Sequence, residues 1–236
     1  IITVKLGKMK RNDGRKVDEL RPMEAKTGVV KRADGSAMFK IGNTIAMASV
    51  YGPRELHPKF LQDPQKGILR CNYNMMAFSG SGDRVRPGPS RRSREISLVT
   101  QNALLPVLNM EAYPNSVIDI FIELVQTDAG TRCAGICAAA MALADAGIPM
   151  KDIVSAVSVG YLKNTLLVDI NAVEDCDLHA TDIAIACLPR SGEFSLLQID
   201  GDVNQKQLVE ALEKAKDACK KIYAVQQKAL KERYKK

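Results

Sequence analysis

The sequence predicts an α+β fold in a single domain spanning residues 1–236, and three observations carry that prediction. Short apolar runs pair across tight polar turns at three places along the chain. One strand-length run, Val117 to Val125, leads through a glycine turn into an Ala-rich helix stopped by Gly147 and Pro149. A long terminal helix follows, carrying one apolar stripe. No Pro/Gly/Ser-rich linker separates two halves, and no repeat recurs at a fixed period.

In chain order, residues 8–22 read as an irregular charged arm broken at Gly14 and Pro22. Ala37–Ile41 and Thr44–Tyr51 form the first hairpin, punctuated by Asp34-Gly35 and Gly42-Asn43. The Pro- and charge-rich stretch from Gly52 to Gly67 reads as a loop, and Ile68 to Phe78 as a strand. Ser79-Gly80-Ser81-Gly82 reads as a flexible tip. Pro87 and Pro89 hold the next segment extended up to Ser90, a helix N-cap. The helix after it puts Ile96, Val99 and Ala103 on one face, and Pro106 should kink or end it. Ile153–Val159 with Thr165–Ile170 form a second hairpin, and Asp182–Leu188 with Phe194–Ile199 a third. From Asn204 to Tyr234 the stripe is Leu208, Leu212, Ala215, Cys219 and Ile222.

Composition narrows the function. No apolar run of about 18 residues exists to span a membrane, and residues 1–16 lack the apolar region of a secretion signal. Six cysteines contain no CxxC pair, which reads as reduced thiols in an intracellular, cytoplasmic protein. Cys133 and Cys137 lie one helical turn apart, where packing explains them better than metal binding. With two histidines, His57 and His179, zinc chemistry is disfavoured. Walker A, GxGxxG and GxSxG motifs are all missing. The net charge of +7 favours a polyanionic partner. Arg84, Arg86, Arg91, Arg92 and Arg94 concentrate it in one stretch. Guanidinium forks suit phosphate oxygens, although a solvated basic loop reads the same way. The Lys-rich terminal helix interleaves acids and reads as a solvated face.

Two further segments carry chemistry. Gly130, Thr131 and Arg132 sit where the strand turns into the helix, so free N–H groups, a hydroxyl and a guanidinium converge there. The arrangement suits an anion; an ordinary strand-to-helix turn is the plain alternative. Glu174, Asp175, Asp177 and Asp182 precede a strand that Asp182 opens. A carboxyl group beside bound phosphates serves for proton transfer or for holding a divalent ion, against the alternative of a polar turn. Taken together, the arginines, the anion turn and the carboxylates suggest phosphoryl chemistry.

Several ordered segments then resemble the RNase PH family, in particular the branch that supplies catalytic ring subunits of archaeal exosomes. They are DGRKVDELRP (13–22), RADGSA (32–37), VYGPRELHPKFLQDP (50–64), RPGPSRR (86–92), DAGTR (128–132), ALADAGIPM (142–150), VED with TD (173–182) and LLQIDGD (196–202). The resemblance implies an RNase PH-like fold and a phosphate-dependent 3′-to-5′ exoribonuclease. Such an enzyme degrades single-stranded RNA to nucleoside diphosphates, reversibly, within a hexameric ring. It implies inorganic phosphate as co-substrate, bound by Gly130, Thr131 and Arg132. RNA would be held by Arg91, Arg92 and Lys59, the last in the ring's central channel. Asp182 would act at the leaving 3′ oxygen with Asp175 as its partner, the two also holding Mg2+ or another divalent ion. Implied partners are a homologous non-catalytic subunit and RNA-binding cap proteins, with no membrane. The alternatives are a homohexameric tRNA-trimming RNase PH and a non-catalytic, RNA-threading ring subunit. One departure stands out: the family spaces its two aspartates six positions apart, whereas Asp175 and Asp182 are seven apart. That leaves Asp177 as a rival to Asp175.

Overall fold

A computed structural model describes residues 11–81, 84–86 and 88–235. The first sheet contains β1 (Met23–Thr27), β2 (Gly35–Ile41), β3 (Thr44–Glu55), β4 (Ile68–Met75) and β5 (Ser116–Gln126), in the order β1-β2-β3-β5-β4. Its neighbours run antiparallel except β4 and β5, which are parallel and therefore need a crossover. Helix α1 (Arg91–Leu104) provides it. The second sheet is antiparallel, with β6 (Ser155–Leu162), β7 (Thr165–Val168), β8 (Thr181–Cys187) and β9 (Phe194–Asp200) in the order β7-β6-β8-β9.

Helix α2 (Thr131–Asp145) touches strands of both sheets, and nearly every side chain on it is buried. A helix packed on all sides can have no polar face, which is why this one is built of Ala, Cys, Ile, Met and Leu. One contiguous core runs from Phe39 and Ile120 in the first sheet through Ile136 and Met141 to Ile185 in the second. Helix α3 (Gln205–Tyr234) lies against β1, β6, β7 and β8 through the expected stripe, with Ala215, Cys219 and Ile222 buried.

The caps read from the sequence form. Ser93 N donates to Ser90 Oγ at 3.0 Å and Ser90 N to Ser93 Oγ at 2.7 Å, a reciprocal box at the start of α1. Asn204 and Gln207 repeat the arrangement at α3. Pro106 ends α1 in a short 3-10 turn, Leu105–Val107.

Four readings need correction. Strand β1 was not anticipated, although Met23 and Ala25 alternate with exposed Glu24 and Lys26. Strand β3 continues past Gly52 to Glu55, because Arg54 and Glu55 pair with Val117 and Ser116 beyond an irregularity in the ladder. Ser79 is buried and anchored: Thr127 donates to its carbonyl through both N, at 2.9 Å, and Oγ1, at 3.1 Å. The arm is not a solvated tail. Arg11 and Arg21 are buried in ion pairs with Glu174 and Asp169. Residues 8–10 of the arm, Gly82 and Pro87 lie outside the described residues.

Candidate active site

A cavity of about 340 Å³ opens where four segments meet: the β5–α2 turn, the first turn of α1, the turn before β8, and the last residue of β9. Arg92, Gly130, Thr131, Arg132, Asp175 and Asp182 all line it.

The anion turn is built by backbone conformation. Ala129 and Gly130 both take positive φ, 51° and 61°. Glycine bears that geometry without strain, and it reverses the chain so that α2 begins at Thr131. The first N–H groups of that helix have no partner within it, and the dipole's positive end lies among them. Arg132, one residue on, reaches across the cavity. Its Nη2 lies 4.0 Å from Asp182 Oδ2, beyond the usual 2.7–2.9 Å of a charge-assisted hydrogen bond. The pair feels mutual attraction while the guanidinium keeps donors free.

Asp182 is the second residue of β8, and its direction is set by the sheet. Ser158 Oγ, on neighbouring β6, donates to Asp182 Oδ1 at 2.5 Å, which leaves Oδ2 turned to Arg132. Asp200 faces Asp182 directly in the β8–β9 register and also lines the cavity.

The extra residue between Asp175 and Asp182 is absorbed locally. Residues Val173–Asp177 form a π-helical turn, with Leu178 N donating to Val173 O at 3.0 Å. A π turn is the form a helical turn takes when one residue is inserted. It leaves Asp175 half-buried on the cavity wall and Asp177 exposed outside it. Burial pushes the Asp175 carboxyl above its ordinary value and the Asp182 charge adds to this, while Arg132 and Arg92 pull it down.

The same turn is clamped from the far end of the chain. Arg11 holds Glu174 with two bonds, Nε to Oε1 at 2.8 Å and Nη2 to Oε2 at 2.6 Å. Arg21 holds Asp169 in the same forked way, and its Nη1 donates to the Asp128 carbonyl. Asp128 Oδ1 accepts from Ala172 N at 3.0 Å, tying the anion turn to the acidic turn.

Not every expected residue converges. Arg92 lines the cavity, but Arg91 is exposed at the start of α1 and does not. Lys59 stands on a separate exposed 3-10 turn, Lys59–Leu61, with its Nζ 3.9 Å from Glu55 Oε1. Sequence reasoning missed Ser158, Asp200 and the Arg11–Glu174 clamp. A lone Ser within the apolar run SAVSVGYL was the available signal for the first. Among the described residues no group of three or more His, Cys, Asp or Glu side chains forms a metal cage. The donor set instead fits Mg2+ held by one or two carboxylates together with substrate oxygens and water.

A two-sheet fold with a buried helix whose first turn meets arginines and carboxylates defines a nucleic-acid-processing phosphoryl site. The 3′ exoribonuclease family models match the chain in two consecutive parts, domain 1 over residues 19–149 and domain 2 over residues 152–218. The chain belongs to the RNase PH family. It is 48% identical over 224 residues to the exosome complex component Rrp41 of Methanopyrus kandleri, covering 95% of this chain and 93% of that protein. Identity to the Pyrococcus furiosus protein of the same name is also 48%, over 225 residues, covering 95% and 89%. Among solved structures, rice (Oryza sativa) Rrp46 superposes with a TM-score of 0.82 at 23% identity, covering 93% of this chain and all (100%) of that one. The Archaeoglobus fulgidus exosome with RNA bound to the active site gives 0.78 at 22% identity, covering 96% and 93%. These two share the fold.

Proposed function

We propose that this protein is the phosphorolytic 3′-to-5′ exoribonuclease subunit of an exosome ring. The observation that carries the reading is the cavity itself, where an anion-binding helix start and Arg132 stand opposite Asp182, with Arg92 beside them.

Phosphate is already an anionic nucleophile at neutral pH and needs no strong base. The site's task is to bring two anions together, which calls for guanidinium groups and a helix start. Gly130, Thr131 and Arg132 hold inorganic phosphate. Arg92, with Arg91 outside the cavity, holds the 3′-terminal phosphodiester. A phosphate oxygen attacks that phosphorus, the bond to the 3′ oxygen of the preceding nucleotide breaks, and a nucleoside diphosphate leaves. Asp182, oriented by Ser158, supplies the proton for the departing 3′ oxygen, and Asp175 keeps the pair partly protonated. Asp175 and Asp182 would also hold a divalent ion, which supplies charge neutralisation when bound. The reverse reaction adds tails when diphosphates are abundant.

The two archaeal relatives are exosome components, which supports a ring with a homologous non-catalytic subunit and RNA-binding cap proteins. Lys59, exposed on its own turn, is free to meet RNA in the ring's channel. A scaffold-only reading is disfavoured by the retention of Arg92, Arg132 and Asp182 around one cavity. No helix among the described residues is long and apolar enough to cross a membrane. Six unpaired cysteines fit a reducing compartment, so the cytoplasm is part of this reading. The test is to size the purified chain with and without its homologue and assay RNA shortening in each fraction. Shortening only when phosphate is supplied is expected; phosphate-independent release of monophosphates would overturn the reading.

A further inference from the structure

Tyr73, in β4, is 4% exposed, and its hydroxyl is buried with no hydrogen-bond partner. A buried, unpaired hydroxyl is unfavourable, so its position asks for a reason. Its ring lies against α2 at Gly135, where an added Cβ would stand 3.7 Å from Tyr73 Cε2 and 3.2 Å from Ile122 Cγ2. Gly135 is one helical turn beyond Thr131 and on the same face. The missing side chain therefore lets the tyrosine ring lie on the helix face that carries Thr131. Around the hydroxyl are the Thr131 hydroxyl and the Arg92 and Arg132 charges. Burial pushes the phenol up, and these neighbours pull it the other way. Tyr73 itself lines an adjoining pocket with Arg92, not the cavity that holds Thr131.

We infer that Tyr73 is a positioning residue for phosphate: its hydroxyl donates to Thr131 Oγ1 when the anion turn is loaded. A threonine hydroxyl has one proton and two lone pairs. Once a lone pair is taken by Tyr73, the rotor is fixed and the Thr131 proton is committed to the bound anion. With the turn empty the rotor has no such demand on it, consistent with the unpaired hydroxyl. The effect runs through Thr131, without contact between Tyr73 and the reacting atoms. This inference rests on the phosphorolytic reading.

The test compares Tyr73→Phe, Thr131→Val and the double variant in the assembled complex, with inorganic phosphate as the varied substrate. Tyr73→Phe removes one oxygen that has no partner, so the fold should tolerate it. The expected result is a KM for phosphate raised roughly 3- to 10-fold, the scale of one hydrogen bond. At saturating phosphate kcat stays near the parental value, and RNA affinity is unchanged. In the Thr131→Val background, Tyr73→Phe should add nothing. An unchanged KM for phosphate in Tyr73→Phe, or equal losses with and without Thr131, would overturn the inference while leaving phosphorolysis standing. A parent protein that shortens RNA without phosphate would overturn both.

Discussion

Ser158 and Asp182, on neighbouring strands of the second sheet, are joined by a 2.5 Å hydrogen bond from Ser158 Oγ to Asp182 Oδ1. It fixes which carboxylate oxygen faces Arg132. Ser158→Ala should therefore lower turnover roughly tenfold or more, since a hydrogen bond to a charged group contributes about 1.5–3 kcal/mol. RNA affinity should be nearly unchanged. Steady-state kinetics beside an RNA-binding titration check this; parental turnover would mean that other contacts orient Asp182.

The Arg11–Glu174 pair is buried on both sides, with side-chain exposures of 0% and 2%. Removing one partner leaves a buried charge unpaired, which costs about 3–5 kcal/mol. Arg11→Ala should lower unfolding stability by that amount, measured by denaturant titration. A loss below about 1 kcal/mol would show that the arm is not bound as described.

The π turn assigns different fates to two neighbouring aspartates. Asp175→Asn should reduce turnover by roughly 10-fold or more, the lower reach of acid–base effects being about 10². Asp177→Asn, exposed and outside the cavity, should stay within about twofold, as surface changes do. The reverse ranking would place the rival carboxylate in the site.

Arg132→Ala should raise the KM for phosphate far more than it weakens RNA binding, because it removes a charged fork from a small anion. Arg91→Ala with Arg92→Ala should instead reduce RNA affinity and flatten its dependence on salt. Equal losses of phosphate and RNA in Arg132→Ala would assign it to the RNA track.

The elements that were legible are those fixed by local chemistry. Ser90 and Asn204 announce their helices through side-chain caps, and the three hairpins alternate around visible turns. The anion turn was legible because glycine, helix start and arginine are consecutive. What stayed hidden depends on distant partners. Arg11 and Glu174 are 163 residues apart, so an arm rich in charge looked solvated. A single inserted residue before Asp182 changes no composition, yet it selects a π turn and decides which aspartate enters the cavity. Ser158 was hidden because its partner sits on the next strand, not in its own sequence neighbourhood.

The central claim is that phosphate, not water, takes the terminal nucleotide at the Asp182 cavity. Inorganic phosphate enriched in heavy oxygen should be supplied to the ring with single-stranded RNA, and the released nucleotides weighed. The account predicts diphosphates whose terminal phosphate carries the label, formed roughly 10²-fold more slowly by Asp182→Asn rings that still assemble and bind RNA. Unlabelled monophosphates, or an Asp182→Asn protein that works at the parental rate, would contradict it.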